Sequence, residues 1–123
     1  MTYQWIVKSD VDFSVDVEID GSSVNQRGYQ CGALGNNTII TPAAGLRLKV
    51  YRATFTPSAN IAGEIQILLG AITLSRTFNP QNGAVYGFNI APNFAIGATG
   101  DLLIVNLPVA TNINIDVCWE EVL

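Results

Sequence analysis

The sequence predicts an all-β domain, a two-sheet β-sandwich with a jelly-roll-like path and about eight strands. Three observations predict it. Apolar residues do not recur at helical spacing anywhere in the chain. Short runs rich in Val, Ile, Leu, Thr and Phe recur instead, each closed by a turn signal, at the roughly 8–12-residue interval typical of sandwiches and barrels. Two of these runs, VDFSVDVEI and NINIDVCWE, alternate apolar with polar residues, so each presents one buried and one wet face.

The elements follow in order. In the first run Val11, Phe13, Val15, Val17 and Ile19 alternate with Asp12, Ser14, Asp16 and Glu18, and Asp20-Gly21 closes it with a tight turn. The stretch through Gly28, Gly32 and Gly35-Asn36-Asn37 reads as irregular. A short strand is expected at Thr38–Thr41, followed by the turn Pro42-Ala43-Ala44-Gly45. LRLKVYRATF is a long strand, with Leu46, Leu48 and Val50 inward against Arg47, Lys49 and Tyr51. Strands over 63–69 and 71–78 pivot at Gly70. Pro80-Gln81-Asn82-Gly83 reads as a hairpin turn into a strand over 84–90. Ala91-Pro92-Asn93 leads into a connection over 94–100, and strands over 102–107 and 112–120 close the domain. In the last, Ile113, Ile115, Val117 and Trp119 share one face, with Asn114, Asp116, Cys118 and Glu120 on the other.

The 123 residues suffice for one domain with a real core, and their 49% hydrophobic content excludes disorder. No apolar run approaches the ~20 residues that span a bilayer, so no membrane partner is expected. The opening MTYQWIVKSDVDF lacks a basic region followed by an apolar one, so no signal peptide is expected either. Charged residues make up only 13%, against roughly 25% in a typical soluble domain. A small domain cannot hide most of its surface within itself, so a charge-poor surface predicts coverage by neighbouring subunits. Net charge is −4, and Lys8, Arg27, Arg47, Lys49, Arg52 and Arg76 are scattered, which argues against nucleic-acid binding.

The chain has no histidine. Ser-His-Asp and Cys-His catalysis and histidine metal sites are therefore excluded. No nucleotide-binding or zinc-binding spacing occurs, and no cofactor is expected. Cys31 and Cys118 are far apart and read as free, half-buried thiols. Asp10, Asp12, Asp16, Glu18 and Asp20 all fall at even positions, on one strand face. A flat strand does not converge its oxygens, so calcium at Asp12, Asp16 and Glu18 is only a minor option against an exposed acidic face. A third reading pairs Asp12, Asp16 and Glu18 with the cations Arg47 and Lys49, beside Arg52, across a subunit boundary. Asp101, Asp116 and Glu120 are the acids available to a two-carboxylate glycosidase, with nothing to place them in one cleft. Trp5, Tyr29, Tyr51, Tyr86 and Trp119 are the aromatics available to stack on a sugar, though strand aromatics more often serve core or interface. Asn36-Asn37-Thr38 matches a glycosylation acceptor, which is expected to carry no meaning where no signal peptide is expected.

From about residue 36 onward the chain resembles small virion proteins of tailed bacteriophages and prophages. The segments that carry the resemblance are PAAGLRLKVYRATFTPSA, IQILLGAITLSRTF and NFAIGATGDLLIVNLPVATNINIDVCWEEV. Gly45, Arg47, Val50, Gly100, Leu102, Leu107, Trp119, Glu120 and Val122 match the pattern, with Trp119 where Tyr is usual. The resemblance implies a jelly-roll-like sandwich in the virion, assembled in the host cytoplasm and commonly a homotrimer. On that reading the chain is a non-enzymatic capsid decoration protein bound to the major capsid protein or another virion protein. The alternative is a phage fibre or tail module that binds a receptor or glycan. Residues 1–123 form one domain, in which 1–35 supply an N-terminal strand and a docking segment and 36–123 the virion-like region.

Overall fold

The computed structural model describes the backbone of residues 5–7, 15–19 and 22–123, and side chains from residue 24 onward. Its strands are β1 (Trp5–Val7), β2 (Val15–Ile19), β3 (Ser22–Cys31), β4 (Gly35–Ile40), β5 (Arg47–Pro57) and β6 (Glu64–Leu69). They continue with β7 (Ile72–Phe78), β8 (Tyr86–Asn89), β9 (Ala95–Ile96), β10 (Leu103–Leu107) and β11 (Ile113–Val122). Among the described residues all regular structure is β, and every pairing is antiparallel.

A seven-stranded sheet runs β1-β2-β3-β11-β5-β8, with β9 also on β5, and a four-stranded sheet runs β4-β10-β6-β7. Without β1, β2 and β9 the orders are β3-β11-β5-β8 and β4-β10-β6-β7. The chain changes sheet at every core connection except the β6–β7 hairpin. That path is a jelly roll, two Greek keys wound into a sandwich. The fold class read from the sequence is therefore the observed one.

The core lies between the sheets. Leu48, Val50, Ala53 and Phe55 of β5 and Ile113, Ile115, Val117 and Trp119 of β11 line one wall. Ile65, Ile67 and Leu69 of β6 and Leu103, Val105 and Leu107 of β10 line the other. Each large side chain buried there contributes about 1.5–3 kcal/mol. The period-2 alternation of β10 and β11 produces this wall directly.

Three local readings of the sequence meet the structure differently. The stretch after Gly21 is not irregular: β3 is a ten-residue strand that carries part of the segment 1–35 into the body of the sandwich. Its SSVNQRGYQC composition hides it, because no apolar alternation marks its faces. Pro80–Gly83 does not make a hairpin, since β7 and β8 belong to different sheets. The segment crosses between them, with Pro80 accepting a bond from the Ile61 N–H at 3.0 Å and the Gly83 N–H donating to Pro57 at 2.9 Å. Finally, β5 breaks its alternation at Val50–Tyr51, both buried. The β11 register skips one residue there, pairing Trp119 with Val50 and Cys118 with Arg52. Tyr51 is the extra residue of this bulge and stays on the outer face beside Arg52. It is buried there in a second small cluster with Val24 and Cys118.

Candidate binding site

The outer face of the seven-stranded sheet is a grid whose rows are fixed by register. Gln26, Cys118 and Arg52 form one row across β3, β11 and β5, and Asn89 of β8 extends it. The next row is Gly28, Asp116, Thr54 and Gly87. The row beyond is Gln30, Asn114 and Thr56. The last two rows floor an open trough of about 480 Å³ lined by Gly28, Gln30, Thr54, Thr56, Asn114 and Asp116, with Tyr29 and Ile115 of the same strands. Gly28, with no side chain, leaves one end of the middle row low.

One wall of the trough is charged but neutralised. Arg52 Nη2 lies 2.8 Å from Asp116 Oδ2, and the Gln26 amide donates to both carboxylate oxygens at 3.4 Å. The Asp116 side chain remains 46% exposed. Further along the same face Lys49 Nζ lies 3.0 Å from Glu120 Oε1, which also accepts from the Tyr51 hydroxyl at 3.0 Å. The Lys49 ammonium sits 4.0 Å above the Phe94 ring. Donation to Glu120 holds the Lys49 pKa above its ordinary value, while burial and then Glu120 raise that of Tyr51.

The interface candidates are thus placed as follows. Lys49 is taken by Glu120 of its own chain, and Arg47 Nη2 donates to the Leu123 carbonyl at 2.9 Å. Asp16 and Glu18 lie on β2, with β3 and β11 between them and β5, so strand spacing puts about 14 Å between their backbone and that of Lys49 within one chain. Asp12 and the side chains of Asp16 and Glu18 lie outside the described residues, and the calcium reading with them. Among the described residues no three Cys, Asp or Glu side chains gather as a metal site.

The other acids do not converge. Asp116 and Glu120 are four residues apart on β11, about 13 Å along a strand, beyond the roughly 5–9.5 Å of paired glycosidase carboxylates. Asp101 accepts from the Ala98 N–H at 2.9 Å and closes the turn before β10. It also packs against Gly70, where an added Cβ would come 2.4 Å from the carboxylate. The cysteines are free. Cys31 pairs with Ile113 and Cys118 with Gln26, five residues apart on the β3–β11 ladder. That is about 17 Å, far beyond disulfide reach. Burial pushes the Cys31 thiol up to about 11 and raises Cys118 as well, so both are weak nucleophiles at neutral pH.

The described aromatics are largely spent on packing. Tyr86 stacks on Phe55 at 5.6 Å and its hydroxyl accepts from the Gln81 N–H, Tyr29 tilts against Trp119 at 6.3 Å, and Tyr51 meets Phe94 edge-on. Asn37 is spent too: its amide bridges Ala33 in both directions and pins the turn before β4. Large exposed apolar side chains collect elsewhere. Ile72 and Phe78 on β7, Val85 before β8, and Ile90 and Phe94 after it all lie on or beside the free-edge strands β7 and β8. Sequence reasoning missed this side because each residue is isolated in the chain, and only the sandwich brings β7 beside β8.

No protein-family model, curated protein or solved structure matches this chain.

Proposed function

We propose that this chain is a structural protein of a virion, a capsid decoration subunit that assembles with copies of itself and seats on the major capsid protein. The observation that carries the self-assembly is the apolar side along β7 and β8. Ile72, Phe78, Val85, Ile90 and Phe94 are all at least 40% exposed there, beside two strands with one open edge each. The charges described beside it are paired: Arg76 forks onto Glu64, and Lys49, above the Phe94 ring, is taken by Glu120. A second copy is the occupant that suits it, because an apolar, nearly neutral patch can meet its equivalent without charge repulsion. The 13% charge content and the resemblance to phage virion proteins support the wider assignment. Residues 1–35 outside β3 are the segment left to dock on the capsid. Light scattering of the purified protein is expected to give a trimer mass, and a 13.2 kDa species at micromolar concentration would overturn self-assembly. Mass spectrometry of purified particles is expected to find this chain in a fixed ratio to the major capsid protein, and its absence would overturn the virion assignment.

A further inference from the structure

The trough on the seven-stranded sheet carries a second inference, independent of the apolar side. Its middle row begins at Gly28, in the interior of β3. Gly28 is not among the glycines with positive φ, so no left-handed backbone demands it. A Cβ built there would meet nothing nearer than the Ile115 carbonyl, at 3.9 Å, so no neighbour demands it either. A glycine in a strand interior costs about 0.5–1 kcal/mol relative to alanine, and marks a bulge, a bend or close approach by a ligand or another backbone; the β3–β11 register runs unbroken through Gly28, so no bulge accounts for it. Gly87, at the far end of the row, is different. Its φ is +127, and a Cβ would come 2.4 Å from the Ala53 carbonyl oxygen, so the fold itself requires it. Between them, across three strand intervals or about 14 Å, stand Asp116 and Thr54, so the low point of the trough is the Gly28 end.

The groups that line this channel define what fits. Gln30 and Asn114 are exposed amides, and Thr54 and Thr56 add hydroxyls. Among the described residues none of these four side chains is committed to a hydrogen bond or ion pair. Asp116 is neutralised by Arg52 and Gln26 yet is half-exposed, so it keeps acceptor capacity toward the channel. An extended peptide gains little here, since β3, β11 and β5 already spend their main-chain groups on each other's ladders. A phosphate or nucleic acid meets a carboxylate whose nearest cation is already paired. A ligand dense in neutral hydroxyls is satisfied by two amides, two hydroxyls and a shielded carboxylate. We infer that this channel is a binding site for a neutral saccharide, with Gly28 as the opening that admits the ring. Among the described residues Tyr29 is the one aromatic in the lining, and its ring is tilted against Trp119, so a single subsite binds weakly, on the order of millimolar.

Amide-resolved NMR of the intact chain, titrated with maltotriose, lactose and chitotriose, tests this. At least one sugar is expected to shift the Gly28, Gln30, Asn114 and Asp116 amides saturably, leaving β6 and β7 unmoved. Gly28→Leu, whose Cβ would meet nothing nearer than 3.9 Å, is expected to weaken binding tenfold or more with no fall in melting temperature. Asn114→Ala provides a second variant should Gly28→Leu fold poorly. The inference fails if none of the three sugars moves these amides at tens of millimolar, or if binding survives both substitutions. Shifts at the trough on dilution without sugar would also overturn it, by assigning the trough to contact between copies. Loss of the oligomer with sugar binding intact would instead count against the β7–β8 assembly alone.

Discussion

Replacing Phe78 and Val85 with Ser and Thr should separate assembly from folding. The two side chains are 65% and 68% exposed, so about two-thirds of each remains to be covered by a partner. Full burial of a Phe or Val contributes about 1.5–3 kcal/mol, which leaves about 1–2 kcal/mol each and about 2–4 kcal/mol for the pair at one interface. At about 1.4 kcal/mol per factor of ten, the dissociation constant rises by roughly 30- to 1,000-fold. Because neither residue belongs to the core of a single chain, the monomer should lose no more than about 0.5 kcal/mol. Sedimentation over a concentration series reads the first effect. Thermal unfolding reads the second, at a dilution where the unsubstituted chain has also dissociated, because assembly itself raises the apparent melting temperature. If the double variant sediments like the parent at every concentration, the β7–β8 side is ordinary surface and the reasoning is wrong.

Other outcomes follow from the same geometry. Gly28→Ala should raise stability by about 0.5 kcal/mol, whereas Gly87→Ala, in the same row, should cost about 2 kcal/mol or more through its backbone clash, as denaturant midpoints will show. Lys49→Met should cost about 1 kcal/mol at low salt, less at high salt, because it opens the pair with Glu120; a change that grew with salt would contradict this. The pKa values of Cys31, Cys118, Tyr51 and Lys49 are all raised by folding, so the folded chain holds more protons than the unfolded one in alkali. Their contribution is complete below their unfolded values, the lowest being 9.0 for the thiols, and melting temperature should fall as pH rises past it. Cys31→Val should flatten part of that fall between pH 9.0 and about 11. Glu64 is lowered by its bonds from Arg76 and Gln66, so its contribution holds at neutral pH and fades as acid protonates it below the ordinary glutamate range; Arg76→Gln should weaken that acid dependence, leaving the part due to Gln66.

The strands that alternate were legible in the sequence, and those that do not were not. Ile113 to Trp119 declares its inner face, and Gly70 marks the tight β6–β7 hairpin, because both signals are local. β3 escapes because Gln26, Gly28 and Gln30 lie on the outer face of the sheet while the opposite face carries Arg27 and Tyr29 at the sandwich margin, so neither face reads as core. The turn chemistry of Pro80–Gly83 is real, but a turn does not choose the sheet its next strand joins. That choice falls to the open edge of β5. Lys49 and Arg52 were visible as a cationic cluster, yet their acids, Glu120 and Asp116, lie more than sixty positions away and meet them only through the β5–β11 register. The trough left no sequence signal, since side-chain absence at Gly28 becomes a shape only when three strands lie side by side.

The place of β11 governs how the molecule comes into being. It lies between β3 and β5 in the large sheet, yet among the described strands it comes last in chain order, long after both its neighbours. Until Val122 has left the ribosome, β3 and β5 face a vacant slot, and each offers an unpaired ladder to any strand nearby. Folding is therefore gated on translation running through to this strand, and the distant pairing makes closure slow. A chain cut short before residue 113 retains most of the core residues but not the strand that joins the halves of the sheet. Such a fragment exposes two sticky edges, and its fate is aggregation or proteolysis rather than partial function.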